Sequence, residues 1–176
     1  MAHEEHKHAA PKSVAAAVLV VSDTRSEATD RSGKRIRELL EAAGHHVLSF
    51  DVVRDEREEI AAWVRRLSSR PEVDALILTG GTGISSRDVT IEAVEPLFHV
   101  HLPGFGELFR WLSFQEIGPS AMLSRAGAGV VRGRSVVCFC LPGSRPAVEL
   151  AMEKLILPEI GHLIFEIRKG TSHGTH

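Results

Sequence analysis

AAAVLVVSD, from Ala15 to Asp23, is apolar at every position until it stops at Ser22 and Asp23. A continuous apolar run of this length predicts a strand buried on both faces of a sheet. HVLSFDVV from His46, DALILTG from Asp74 and RSVVCFCLP from Arg134 predict three more strands. Between and after them the apolar period changes. Ile36, Leu39, Leu40 and Ala43 recur at helical spacing, as do Ile60, Trp63, Val64 and Leu67, and again Val148, Ala151, Met152 and Leu155. Further helices are expected over about Val89 to Phe98, Glu107 to Glu116 and Pro158 to Lys169. Asp30 or Ser32 suits the start of the first helix and Gly44 its end. Asp55 and Glu58 have the spacing of a capping pair at the start of the second.

Strands alternating with helices predict an α/β fold. We expect a three-layer sandwich in which helices cover both faces of a mainly parallel central sheet. Such sheets bind ligands at the carboxyl ends of their strands. Four pieces of chain follow predicted strands: Ser22 and Asp23, Asp55, the loop beginning at Thr79, and the Leu141–Ser144 turn. All four should meet along one rim. A single domain over residues 13–169 is expected, with solvated tails at 1–12 and 170–176.

The chain has 176 residues and a formal net charge of −2, so no global basic field gathers nucleic acid. No apolar run approaches the roughly 20 residues that cross a bilayer. The start lacks a signal-peptide core, and a cytoplasmic location is expected. Cys138 and Cys140 are the only cysteines and read as buried core thiols. Five of the ten histidines, His3, His6, His8, His173 and His176, lie in the tails and form no zinc pattern.

The chemistry concentrates in LTGGTGISSRDVT, Leu78 to Thr90. Gly80, Gly81 and Gly83 let the backbone take left-handed angles and approach a ligand closely. Successive amides can then form a concave anion site. Thr79, Thr82, Ser85 and Ser86 add hydroxyls, and Arg87 adds a fork suited to phosphate. The spacing is neither that of a P-loop nor that of a dinucleotide fingerprint. By itself the run reads equally as a tight structural turn. Asp88 changes that balance, because a carboxylate repels phosphate unless a cation lies between them. Magnesium bridges in this way, held by one or two carboxylates and phosphate oxygens. Asp55 is the candidate second carboxylate. The alternative is that both aspartates only cap helices.

Taken together, VSDTR at Val21–Arg25, DRSG at Asp30–Gly33, TGGTG at Thr79–Gly83, SRDVT at Ser86–Thr90, PGFGE at Pro103–Glu107 and LPGS at Leu141–Ser144 resemble one family. It is the molybdopterin-binding MoaB/MogA group of molybdenum cofactor biosynthesis proteins, matched over about Ser13 to Leu157. PGFGELFRWLSFQEIG looks more like the MoaB branch. The resemblance implies Mg-ATP-dependent adenylylation of molybdopterin with release of pyrophosphate. It implies that Asp55 and Asp88 are catalytic and hold Mg2+. It implies substrate contacts from Ser22, Asp23, Asp30, Ser32, Gly33, Thr79, Gly80, Gly81, Thr82, Gly83, Ser86, Arg87, Pro142, Gly143 and Ser144. Ser144 departs from the Pro-Gly-Asn frequent in the family, which bears on pterin affinity.

Other readings stand beside the enzyme. One is a non-catalytic molybdopterin carrier of the same pathway, although bare anion binding does not favour two nearby carboxylates. Another is a related domain acting on a different nucleotide. Leu108, Phe109, Trp111, Leu112 and Phe114 leave the Glu107–Glu116 helix little polar face. It reads either as a buried core helix or as a subunit interface. The resemblance implies a homo-oligomer, with a hexamer ahead of a trimer. Hand-over of product to a molybdate-inserting protein is a further expected partnership.

Overall fold

The computed structural model describes residues 11–171. The tail histidines and most of both expected tails lie outside the described residues. Six strands form one sheet in the order β2-β1-β3-β6-β5-β4. They are β1 (Ala15–Val21), β2 (His46–Val53), β3 (Ala75–Thr79), β4 (Phe98–His101), β5 (Gly127–Val131) and β6 (Val136–Leu141). The helices are α1 (Ser32–Ala42), α2 (Arg57–Ser68), α3 (Thr90–Val94), α4 (Pro103–Ile117), α5 (Arg145–Ala151) and α6 (Leu157–Thr171). A π turn over Met152–Ile156 joins α5 to α6.

The four strands expected from the sequence are the parallel ones. β1 pairs with β2 and β3, and β3 with β6. β1 and β3 are interior strands and send alternate side chains to two separate cores. Val18 and Ile77 pack on one side with Ile36, Leu40, Phe109, Val148, Met152 and Ile160. Leu19, Leu76 and Leu78 pack on the other with Ile60, Val64, Leu67 and Val94. The sheet thus has helices on both faces, which makes the expected three layers. Cys138 and Cys140 are free and fully buried, and each faces the second core. The hydrogen bond with the Cys140 sulfur, and burial after it, push the Cys138 thiol well above its ordinary value.

Two strands were not expected. β5 runs antiparallel to β6, and β4 antiparallel to β5. β4 is a four-residue edge strand with only Phe98 buried, and β5 carries two glycines in five residues. β4 alternates apolar and polar residues over only four positions, and β5 shows no alternation. β4 also truncates the expected Val89–Phe98 helix, which ends at Val94 and passes through a 3-10 turn, Glu95–Leu97. α4 begins four residues before its expected start, at Pro103, which fits the first turn of a helix because that position needs no amide donor.

Two capping expectations resolve differently. Asp30 Oδ2 accepts from the amides of Gly33 at 2.7 Å and Lys34 at 3.3 Å, so it closes the start of α1. Asp55 and Glu58 form no capping pair, since α2 starts without a side-chain cap. Nor is α4 a fully buried helix: Leu108, Trp111, Phe114 and Ile117 are all more than half exposed, while Phe109 is buried.

Gly129 fixes how closely β4 lies on β5. A Cβ there would stand 2.3 Å from the Phe98 ring. Gly129→Val should therefore destabilise the protein by about 1–3 kcal/mol through overpacking. The check is a lower urea midpoint with an unchanged slope.

Candidate functional site

The carboxyl ends of β1, β2, β3 and β6 converge on an open depression of about 600 Å3. β1 contributes Ser22 and Asp23, β2 Asp55, β3 the glycine loop, and β6 the turn Pro142–Ser144. Parallel pairing forces this convergence, because it brings the four strand ends to the same edge.

The glycine loop leaves β3 in a conformation other residues resist. Gly80 has φ +102° and Gly81 φ +65°. A Cβ on Gly80 would lie 2.2 Å from the Val21 carbonyl oxygen, and one on Gly81 2.2 Å from Thr90 Oγ1. The loop's carbonyls are all engaged by protein. Gly80 O accepts from Thr90 Oγ1 at 2.8 Å, Gly81 O from the Thr90 amide at 3.0 Å, Thr82 O from the Arg125 amide at 3.3 Å, and Gly83 O from Arg125 Nε at 2.7 Å. The amides of Gly81, Thr82 and Gly83 donate to no acceptor among the described residues. Carbonyls bonded to protein and amides left uncommitted make a concave anion site.

Asp55 and Asp88 flank this cradle. A Cβ on Gly81 would lie 2.9 and 3.0 Å from the two Asp55 oxygens, and one on Gly83 2.8 Å from Asp88 Oδ2. Neither carboxylate caps the helix that follows it. Asp55 Oδ1 accepts from the Val89 amide at 3.4 Å, and Asp88 Oδ2 from the Ser85 amide at 2.9 Å. The second oxygen of each meets no hydrogen-bond donor among the described residues. Burial holds the Asp55 carboxyl above its ordinary value, and the carboxylates of Asp88 and Asp23 push the same way, against the Val89 amide. The hydrogen bond from Arg87 holds the Asp23 carboxyl below its ordinary value, aided by the Asp55 amide.

Among the described residues no three His, Cys, Asp or Glu side chains group closely enough to hold a metal by themselves. Two carboxylates beside an anion cradle nevertheless fit magnesium, which takes its remaining ligands from phosphate and water. Asp55 and Asp88 are the residues that would hold it.

The other expected site residues divide into lining and support. Ser22, Asp23, Gly80, Gly81, Thr82, Gly83, Pro142, Gly143 and Ser144 line the depression. Thr79, Asp30, Ser32 and Gly33 lie beneath its wall. Thr79 Oγ1 donates to Pro142 O at 2.9 Å, and Ser32 Oγ to Gly143 O at 2.7 Å, so both hydroxyls pin the β6 turn. Asp30 is buried, and a Cβ on Gly33 would strike Val20, Asp30 and Phe50. Arg87 is exposed and paired with Asp23 at 2.6 Å and Glu56 at 3.4 Å, and Ser86 is exposed without lining the cavity.

Sequence reasoning did not select Thr24, Arg25, Leu123 and Ser124, which also line the depression. It also passed over Arg125, which clips the loop by donating to Gly83 O, to Asp88 O at 2.8 Å and to the Glu92 carboxylate. Arg25 was visible inside VSDTR. Leu123 to Arg125 carry no local signal and reach the site only because the 3-10 segment after α4, Gly118–Leu123, folds back onto it.

A family model described as "Probable molybdopterin binding domain" matches residues 17–162. The chain belongs to this molybdopterin-binding family. It is 52% identical over 170 residues to molybdenum cofactor biosynthesis protein B of Bacillus anthracis, covering 96% of this chain and 99% of that relative. A crystal structure of a molybdenum cofactor biosynthesis protein B superposes with a TM-score of 0.87 at 52% identity, over 91% of this chain and 99% of that one. The tungsten cofactor synthesizing protein MoaB from Pyrococcus furiosus superposes with a TM-score of 0.80 at 39% identity, over 90% and 99%. Relatives of the MoaB type thus share the fold over nearly the whole described domain.

The raised Asp55 carboxyl sets a pH dependence for the ligand-free protein. The unfolded chain loses this proton near 3.8 and the folded chain at higher pH. Stability therefore falls as pH rises through that window and stays lower above it. Asp55→Asn removes the cost and keeps an acceptor for Val89. Its melting temperature in magnesium-free buffer should exceed the parent's at about neutral pH, with the difference closing as pH falls toward about 4. An equal offset at every pH would contradict this origin.

Proposed function

We propose that this molybdenum cofactor biosynthesis protein adenylylates molybdopterin at the β1–β2–β3–β6 rim, using Mg-ATP. Its role in molybdenum cofactor biosynthesis follows from the family and from relatives matched along nearly their whole length. The observation that carries the finer reading is the pair Asp55 and Asp88 set against the uncommitted amides of Gly81, Thr82 and Gly83. A simple anion carrier gains nothing from two carboxylates there. A phosphoryl site holding a divalent cation requires them.

In the proposed reaction a phosphate oxygen of molybdopterin attacks the α-phosphorus of ATP. The new P–O–P linkage forms as the α–β bridging bond breaks, and pyrophosphate takes the electron pair. No general base is needed, because a phosphate monoester is already ionised at neutral pH. Magnesium, when bound, neutralises charge that builds on the phosphates. The protein's own contribution is positional. Asp55 and Asp88 fix where the cation and its phosphates sit, and the loop amides donate to phosphate oxygens. Thr82 is buried at the cavity wall and offers its hydroxyl there. Arg125 keeps Gly83 and Asp88 in place by their carbonyls.

Pyrophosphate release from Mg-ATP and molybdopterin tests this. Asp55→Asn and Asp88→Asn should each lower kcat by about 100-fold or more, while molybdopterin still binds. A parent that binds molybdopterin and releases no pyrophosphate would leave the carrier reading in its place.

Assembly as a homo-oligomer, a hexamer ahead of a trimer, belongs to the same proposal. It is supported by α4 and the segment after it, where the large apolar side chains Leu108, Trp111, Phe114, Ile117, Met122 and Leu123 are all exposed, as is common where another surface covers them. Light scattering should give a mass near six chains. Trp111→Glu should shift it toward smaller species.

A further inference from the structure

The cavity has two electrostatic ends. Along the glycine loop, Gly81 faces Asp55 and Gly83 faces Asp88, whereas Gly80 faces the β6 turn: a Cβ on Gly143 would lie 3.4 Å from the Gly80 Cα and 3.9 Å from Arg25 Nη1. Four charged side chains line the depression among the described residues. Asp23, Asp55 and Asp88 are carboxylates, and Arg25 is the cation.

Arg25 is held along one edge only. Its Nη1 donates to Gly143 O at 3.1 Å and lies 3.5 Å from Asp30 Oδ1. Asp30 is buried, its Oδ2 is occupied by the start of α1, and its Oδ1 meets no hydrogen-bond donor. That buried charge therefore orients the guanidinium without filling its donors. A guanidinium carries five N–H donors in a rigid fork. No acceptor among the described residues meets Arg25 Nε or Nη2. The side chain remains 42% exposed at the cavity wall.

We propose that Arg25 holds the phosphate monoester of molybdopterin at the Gly143 end of the cavity, opposite the carboxylate end that takes Mg-ATP. This assignment rests on the adenylylation reading and deepens it. Two phosphate-bearing substrates must approach each other, and their charges repel. A cation at each end lowers that repulsion, and a planar fork suits a phosphate with two oxygens to offer. The three carboxylates make the other positions on the rim unfavourable for a phosphate without a metal, which leaves the Arg25 end for the substrate that arrives without one.

The test is binding of molybdopterin and of its dephosphorylated form, both measured anaerobically with EDTA present to silence the carboxylate end. Arg25→Gln should weaken molybdopterin binding by about 10- to 100-fold and leave the dephosphorylated pterin within about twofold. Arg25→Lys, which keeps a charge but loses the fork, should fall between. Mg-ATP binding should be unchanged in both variants. Equal loss for the two pterins would overturn the assignment to phosphate and make Arg25 a wall residue, while leaving the adenylylation reading intact. A parent that binds neither pterin would overturn the molybdopterin reading itself, and the role of Arg25 with it.

Discussion

The approach of the Gly80 backbone to the end of β1 is the constraint on which the site depends. A side chain there would overlap the Val21 carbonyl, 2.2 Å from its first carbon. Without one, Gly80 takes φ +102° and turns the chain sharply at the end of β3, while its own amide still bonds Leu141 O on β6 at 3.0 Å. The loop is thereby tied to the strand on one side and pressed against the strand on the other. Its carbonyls turn to Thr90 and Arg125, and its amides are left uncommitted. A concavity suited to an anion arises from sterics at one α-carbon and from the engagement of the loop carbonyls by Thr90 and Arg125.

The charges around that cradle are arranged at some cost to the ligand-free fold. Asp55 sits partly buried near two other carboxylates, which holds its carboxyl above the ordinary value. Arg87, bound to Asp23 and Glu56 on the outer rim, relieves it only in part. An incompletely compensated carboxylate next to uncommitted amides is an arrangement that a cation and a phosphate together would complete. Perturbed groups of this kind collect where a site needs them. The same exposed segment that carries Met122 and Leu123 continues into Arg125, whose guanidinium holds the far side of the loop. The apolar surface of α4 and the binding loop are therefore mechanically joined.

The four parallel strands, the helical spacings between them and the glycine loop with its two aspartates could all be read directly along the chain, because each has a periodic or compositional signature of its own. The sequence also narrowed the start of α1 to Asp30 or Ser32, and the strand-end rule grouped Ser22, Asp23, Asp55 and the LPGS turn. β4 and β5 were invisible, since an edge strand of four residues and a strand with two glycines depend on neighbours for their pairing rather than on their own pattern. The exposure of α4 was equally open, because an apolar helix reads the same whether a core or another surface covers it.

What tertiary structure alone decided is the division of labour among the polar residues. Thr79, Ser32 and Asp30 share motifs with ligand-facing neighbours, yet their side chains are spent on Pro142, Gly143 and the first turn of α1. Arg87 and Arg25 look alike as sequence, but one is held between two carboxylates on the outer rim and the other stands at the cavity wall with donors to spare. Arg125 enters the site from a segment with no motif at all. The sequence by itself determined which strand ends meet, because burial and strand period are local properties. Which donors remain for a ligand is a matter of hydrogen bonds between segments far apart in the chain, and only the folded backbone settles that.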